Sequence, residues 1–260
     1  MTLAAAGVLA GRAVLVTGAS GGIGRSIALA AARAGADVAV TFHTNEAGGR
    51  QVERDIRALG RRVFVEQFNL ADAGAARALG AAARDALGRL DVWVNNAGAD
   101  VLTGSGALLS DVEKLDLLIR VDLRGTILAS WSAAELLGAQ EEGGVIINMS
   151  WDHVLTGMSG LNPQLFAAVK GGVLAFSKSL ARSVAPRVRV NVLAPGWIET
   201  SFGAGLKAQD EARGRRIAEA TPLKRWGTPD DVAGAAVFLA SPAAAFLTGQ
   251  AILVGGGIVM

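Results

Sequence analysis

The amino-acid sequence predicts a doubly wound α/β fold, a parallel sheet with helices on both faces. Two observations carry that expectation. Short, almost continuously apolar runs alternate with longer Ala-, Leu- and Arg-rich segments of helical period. A glycine-rich stretch, Thr17–Gly24, joins the first apolar run to the first helical one. The chain has 260 residues, 51% of them hydrophobic, which suffices to bury one large core. A single domain over 1–260 is expected, with no repeat, linker or low-complexity tract.

Taken in order, the strands are Val14–Val16, Val38–Phe42, Val63–Phe68, Val92–Val94, Val145–Asn148, Val188–Leu193 and Ile252–Val254. Their uninterrupted apolar character suits strands covered on both faces. The helices between them are Ile23–Arg33, Glu46–Leu59, Ala73–Leu87, Leu108–Leu137, Ala167–Val184 and Pro229–Leu239. Pro229 needs no donor in a first turn, and Asp230 and Asp231 suit the positive end of the helix dipole. The segment Trp197–Gly227 breaks this rhythm: polar and helix-prone after a strand end, it reads as a lid. Its Arg213–Arg216 run reads as a solvated face of that lid.

Composition removes several function classes. Without cysteine there are no disulfides, thiol nucleophiles or zinc–thiolate sites, and no metal site is expected. The formal net charge is +2, with basic residues scattered rather than striped, so nucleic acid is not an expected partner. The segment Met1–Gly11 lacks the basic lead of a signal peptide, and no uncharged apolar run is long enough for a bilayer. A cytoplasmic protein acting on a small molecule is expected.

The loop Thr17–Gly24 carries the first chemistry. Its glycines permit a tight turn and let backbone N–H groups approach a pyrophosphate at a helix N-terminus, which points to Gly18, Ser20, Gly22, Ile23 and Gly24 as nucleotide-binding. An NAD-preferring site places an acid about 20 residues further on. Here the second strand ends Val40-Thr41-Phe42-His43-Thr44-Asn45, with no acid before Glu46. That absence favours NADPH, with the Thr41 and Thr44 hydroxyls as donors and His43 and Arg25 as the nearest positive groups. The alternative is that His43 and Thr44 merely begin a solvated loop.

Four motifs in order then give the chain its resemblance to the short-chain dehydrogenase/reductase family. They are Thr17–Gly24, Asn95-Asn96-Ala97-Gly98, Pro195-Gly196-Trp197-Ile198-Glu199-Thr200, and Thr248-Gly249-Gln250. The resemblance implies a single Rossmann-type domain, commonly a homotetramer. It places Asn69 and Leu70 beside the adenine, and Asn95, Ala97 and Gly98 along the cofactor. Pro195, Gly196, Ile198 and Thr200 fall around the nicotinamide amide, and Lys170 on the nicotinamide ribose.

The resemblance also exposes departures. The family commonly carries an Asn–Ser–Tyr–Lys tetrad with the tyrosine four residues before the lysine. Here Phe166 stands in that place before Lys170, and the chain has no tyrosine. Asp122 matches the asparagine, and the serine falls somewhere in Ser150-Trp151-Asp152-His153. Three readings follow. An NADPH-dependent reductase of a C=N bond (imine, iminium or dihydropterin-like) needs no phenol, because an iminium already holds its proton. Asp122 and Asp152 would then attract the cation or supply a proton. A carbonyl reductase or alcohol dehydrogenase would need His153 or an Asp as donor, since imidazoles titrate near neutral pH. A non-catalytic NADP(H)-binding protein is the third. Trp151 and Trp197 line a substrate pocket or simply pack, and Phe166 either signals new chemistry or fills the lost ring's space.

Overall fold

A computed structural model of the chain describes residues 7–200, 203, 205 and 210–260. Most of the N-terminal segment Met1–Gly11 and part of the expected lid Trp197–Gly227 lie outside the described residues.

Seven parallel strands are arranged in the order β3-β2-β1-β4-β5-β6-β7. They are β1 (Ala13–Val16), β2 (Asp37–Phe42), β3 (Val63–Gln67), β4 (Val92–Asn95), β5 (Gly144–Met149), β6 (Val188–Pro195) and β7 (Ala251–Val254). The chain runs outward from β1 through β2 to β3, then returns to lay β4 on the other side of β1. This reversal opens a crevice at the carboxyl ends of β1 and β4, where ligands of such sheets bind.

Alternation along the strands feeds two cores. Val14, Val16, Val38, Val40, Val92, Val94, Val145 and Ile147 face α1 (Gly22–Arg33), α2 (Glu46–Ala58) and a later helix, Pro229–Ala240. Leu15, Ala39, Trp93, Ile146 and Val190 face α3 (Ala75–Leu87) and two long helices across the sheet. Both faces are apolar and both are covered, as the uninterrupted strand sequences require.

The expected helix Leu108–Leu137 is not one helix. Gly104–Leu108 forms a 3₁₀ turn, and Ser110 caps α4 (Asp111–Leu118) in a capping box with Glu113. A π-helical stretch, Ile119–Gly125, then precedes α5 (Thr126–Gly138). The apolar period runs through all three pieces, which is why it conceals the breaks. Gly125 explains part of the departure: a Cβ there would lie 2.6 Å from both the Leu70 side chain and its carbonyl oxygen. The wide π turn carries Asp122 into the interior, where it is 1% exposed.

The helix expected from Ala167 begins instead at Leu161, giving α6 (Leu161–Val184). Pro163 is harmless there because first-turn N–H groups have no intrahelical partner. The earlier start puts Phe166 and Lys170 one turn apart on one helix. The lid contains α7 (Glu211–Ala220), and α8 (Pro229–Ala240) follows it with a Thr228–Asp231 capping box. The ends of the lid are tied together: Glu199 N donates to Gly227 O at 2.8 Å and Gly227 N to Trp197 O at 2.9 Å. Trp226 Nε1 donates to Gly214 O at 3.0 Å, pinning α7 to its own base.

Candidate active site

The cofactor side of the crevice is built by a compact set of hydrogen bonds. Thr17 Oγ1 accepts from Asn96 N and Ala97 N, each at 3.0 Å, and Asn96 Nδ2 donates to Thr17 O at 2.9 Å and Gly18 O at 3.2 Å. These bonds press the β4 loop against the glycine loop. Gly18 has φ +65°, and a Cβ on it would lie 2.8 Å from Ala97 Cα. A Cβ on Gly24 would overlap the Asn96 amide and the Gly18 carbonyl. No side chain caps α1, so its first-turn N–H groups are left for a ligand. Positive-φ glycines, an uncapped helix start and no room for side chains together fit a dinucleotide pyrophosphate.

The structure corrects several roles around that loop. Thr41 is 1% exposed and its Oγ1 accepts from Gly18 N at 3.1 Å, so this hydroxyl braces the loop from inside rather than facing a 2′-phosphate. Arg25 is held by Asp55 at 2.8 Å instead of standing free as a clamp. His43 and Thr44 are exposed at the carboxyl end of β2, and His43 shares a recess with Asn69. Asn69 Oδ1 accepts from Ala71 N at 3.1 Å, while Leu70 is buried beneath Gly125.

Asn95, expected along the cofactor, turns its side chain into the core at 2% exposure. It accepts from Trp93 Nε1 and donates to Ser130 Oγ and Asn148 Oδ1, and Asn148 continues to Ser177. This buried polar chain fixes β4 and β5 to α5 and α6. The family resemblance marked Asn95 as a motif residue but could not show which way it points.

Next to the glycine loop is a cavity of about 520 Å³ whose wall includes Ile23, Gly196, Ile198 and Thr200. Its floor holds Ser150, Phe166 and Lys170. Lys170 Nζ is 2.8 Å from Asp122 Oδ2, both groups nearly buried. Asp122 Oδ1 accepts from Ala99 N at 2.7 Å, so this carboxylate also fixes the β4 loop. A Cβ on Gly98 would lie 2.8 Å from Asp122 Oδ2. Ser150 Oγ donates to Lys170 O at 2.8 Å, locking the loop after β5 to α6. Asp122, Ser150, Phe166 and Lys170 are therefore brought together as expected.

Asp152 and His153 are not part of the cavity wall. Trp151 is, and His153 stacks behind it with ring centroids 4.9 Å apart and planes inclined by 20°. His153 Nδ1 lies 2.6 Å from Asp152 Oδ1, which also accepts from His153 N at 2.7 Å. Asp152 is fully buried and its Oδ2 has no partner. It sits against Gly196 and Gly255, where a Cβ on Gly196 would be 2.5 Å away. Burial pushes the Asp152 carboxyl up, and the His153 contacts only partly offset this. The expectation that Asp152 charges the pocket and that His153 serves as its acid is thus corrected: the pair backs the wall.

Trp151, Phe166 and Trp197 form an aromatic rim. Trp151 meets Phe166 edge-on at 6.4 Å, and Trp197 packs on Trp226 at 5.4 Å. The lid supplies Arg213, which is exposed as the sequence reading expected and also borders the cavity. Its neighbours Arg215 and Arg216 face outward onto Glu211 and Asp210. Arg213 lies three residues before Arg216 on the same side of α7, so the helical period alone does not single it out, and only the lid's path shows which residue meets the cavity. Among the described residues no cluster has the makings of a metal site, and no helix is long and apolar enough to cross a membrane.

Fold, glycine loop and the Lys170-bearing helix together define a nucleotide-dependent oxidoreductase, and comparison with known proteins agrees. A family model described as enoyl-(acyl carrier protein) reductase matches residues 18–259. The L-rhamnose 1-dehydrogenase (NAD(P)(+)) of a Sphingomonas species is 36% identical over 252 residues, covering 96% of this chain and 97% of that protein. The 3-oxoacyl-[acyl-carrier-protein] reductase of a Synechocystis species is 36% identical over 255 residues, covering 97% and 98%. Among solved structures, a short-chain dehydrogenase/reductase from Brucella melitensis superposes with a TM-score of 0.84 at 31% identity, covering 98% of this chain and all of that one. A 7α-hydroxysteroid dehydrogenase complexed with NADH and 7-oxo glycochenodeoxycholic acid gives a TM-score of 0.86 at 29% identity, covering 96% and 95%. The chain belongs to the short-chain dehydrogenase/reductase family of NAD(P)(H)-dependent oxidoreductases.

Proposed function

We propose that this enzyme reduces a C=N bond of an iminium-type substrate with NADPH. The observation that carries this reading is the floor of the cavity. Phe166 lies one turn before Lys170, where the family commonly has its tyrosine, and the chain contains no phenol. Among the described residues the ionisable side chains in the wall are Lys170, Asp100 and Arg213. Lys170 is anchored on Asp122, and Asp100 accepts from Leu102 N, Thr103 N and Thr103 Oγ1. A carbonyl needs a proton at oxygen as hydride reaches carbon, and among the described residues no group is set out for that. An iminium carries its proton already and leaves as the amine.

Charge supports the reading less directly than the residue types suggested. Lys170 neutralises Asp122, and Asp152 stands behind the wall. The cation-friendly surface is the aromatic rim of Trp151, Phe166 and Trp197, whose faces attract positive charge. Reduced nicotinamide supplies the hydride when bound. Gly18, Gly22 and the N-terminus of α1 would hold the pyrophosphate, and Lys170 would orient the ribose. The choice of NADPH rests on the β2 end, where His43 and Thr44 are exposed and no acid precedes Glu46. A homotetramer goes with the same reading and is checked by light scattering.

The test is NADPH consumption on cyclic imines and ketones of matched size, across pH. Imine turnover with ketone reduction lower by at least about a hundredfold is expected. Phe166→Tyr should gain ketone activity while changing stability by less than about 1 kcal/mol, since the ring borders a cavity that can take a hydroxyl. Ketone turnover by the wild type that equals imine turnover would sink the proposal.

A further inference from the structure

The outer half of the cavity says something about the substrate that its floor does not. Arg213 reaches the wall from α7, and among the described residues no carboxylate pairs with it. The two other arginines of the same helical turn each have an acidic partner, Arg215 with Glu211 at 2.5 Å and Arg216 with Asp210 at 3.8 Å. Among the described residues of the wall the one carboxylate, Asp100, is committed to the turn after it through Leu102 and Thr103. A second open group belongs to the same cavity: Asn162, in the first turn of α6, lines it, and its Oδ1 is buried with no donor. A buried acceptor without a donor is costly, so this oxygen marks a place where a ligand N–H belongs. Trp151, Phe166 and Trp197 line the same cavity and offer aromatic surface to a flat apolar body.

We propose that Arg213 is a specificity residue that binds a carboxylate on the substrate, with the Asn162 amide receiving an N–H of the same molecule. The substrate class is then a flat, ring-containing imine that carries an acid group. This deepens the reading of the cavity as the substrate site. A guanidinium suits the task because its planar fork matches a carboxylate through two parallel hydrogen bonds. The balance of charge is also right. With Lys170 and Asp122 cancelling and Asp100 committed to its turn, Arg213 is matched by an acid, while the iminium sits against the rings.

The test is binding rather than turnover, so it stands apart from the question of which bond is reduced. Indole-2-carboxylate and its primary amide are titrated into the NADP⁺-loaded protein, with N-methylindole-2-carboxylate as a third probe. The carboxylate should bind at least about tenfold more tightly than the amide, as expected for a charge-assisted pair. Arg213→Gln should erase that preference and Arg213→Lys should restore part of it, with NADPH affinity unchanged in both. Methylating the indole nitrogen should weaken binding to the wild type but not to Asn162→Leu. Equal binding of acid and amide, no binding of the acid, or a preference that survives Arg213→Gln would overturn the proposal. Loss of NADPH affinity in Arg213→Gln, matching the loss for indole-2-carboxylate, would also overturn it by assigning the arginine to the cofactor phosphates. Failure on imines with the carboxylate preference intact would strike the C=N reading alone.

Discussion

The two halves of the crevice handle their polar atoms in opposite ways. On the cofactor side, Thr17, Asn96, Thr41 and Asn95 spend their side chains on other parts of the protein, and the ligand is left with backbone N–H groups and glycine surfaces. On the substrate side, Asn162 Oδ1 and Asp152 Oδ2 have no partner and Arg213 has no described acid. A site for an invariant ligand can be built rigid and satisfied. A site whose ligand changes among relatives keeps its open groups outside the sheet, here on a 3₁₀ turn, a helix start and the lid helix. Lys170 and Asp122 stand at the junction, in the substrate floor yet bonded into the cofactor loop through Ala99.

That junction should give the largest effect. Lys170→Met leaves Asp122 buried and uncompensated, and removing one partner of such a pair costs about 3–5 kcal/mol. The double variant Asp122→Asn, Lys170→Met should recover most of this in denaturant unfolding, because an Asn oxygen can still accept from Ala99 N. If the single variant loses under about 1 kcal/mol, the pair belongs with the loosely held substrate side and the comparison breaks at its joint.

The next effect sharpens the contrast in rigidity. Gly24→Ala drives a methyl into the Asn96 amide and the Gly18 carbonyl, neither of which can give without opening the loop. Overpacking of this kind costs about 1–3 kcal/mol, and NADPH affinity should fall by more than about tenfold. Calorimetric titration and thermal melting of one preparation read both numbers. Unchanged NADPH binding would show that the loop is looser than its hydrogen bonds imply.

The same asymmetry decides what could be read from the sequence. The seven strands, the glycine loop and the Phe166–Lys170 spacing were legible because local pattern dictates them: apolar runs make strands, and i to i+4 shares a helix face. The π turn was not, since the apolar period of Leu108–Leu137 continues through it and the cause, Leu70 under Gly125, is distant in sequence. Asp152 and His153 were placed at the correct strand end but on the wrong side of Trp151, because chain position does not fix whether a side chain faces cavity or core. Arg213 is exposed, as its charge run predicts, yet it also borders the cavity, and only the tertiary path of the lid brings it there.

Asp152 provides the smallest and most diagnostic effect. Burial raises its pKa above the unfolded value of about 3.9. Between those two values the native state holds a proton that the unfolded chain has released, so stability falls as pH rises. Below the unfolded value the slope vanishes, and above the native value the penalty is constant. Asp152→Asn keeps an acceptor for His153 N but cannot ionise, so it should flatten this slope. The variant's melting temperature relative to wild type should therefore rise from pH 4 toward neutrality. The cavity floor is untouched, so indole-2-carboxylate should still bind. A wild-type curve that instead gains on the variant as pH rises would mean that the ion pair with His153 outweighs burial. The back of the Trp151 wall would then be as well satisfied as the cofactor loop.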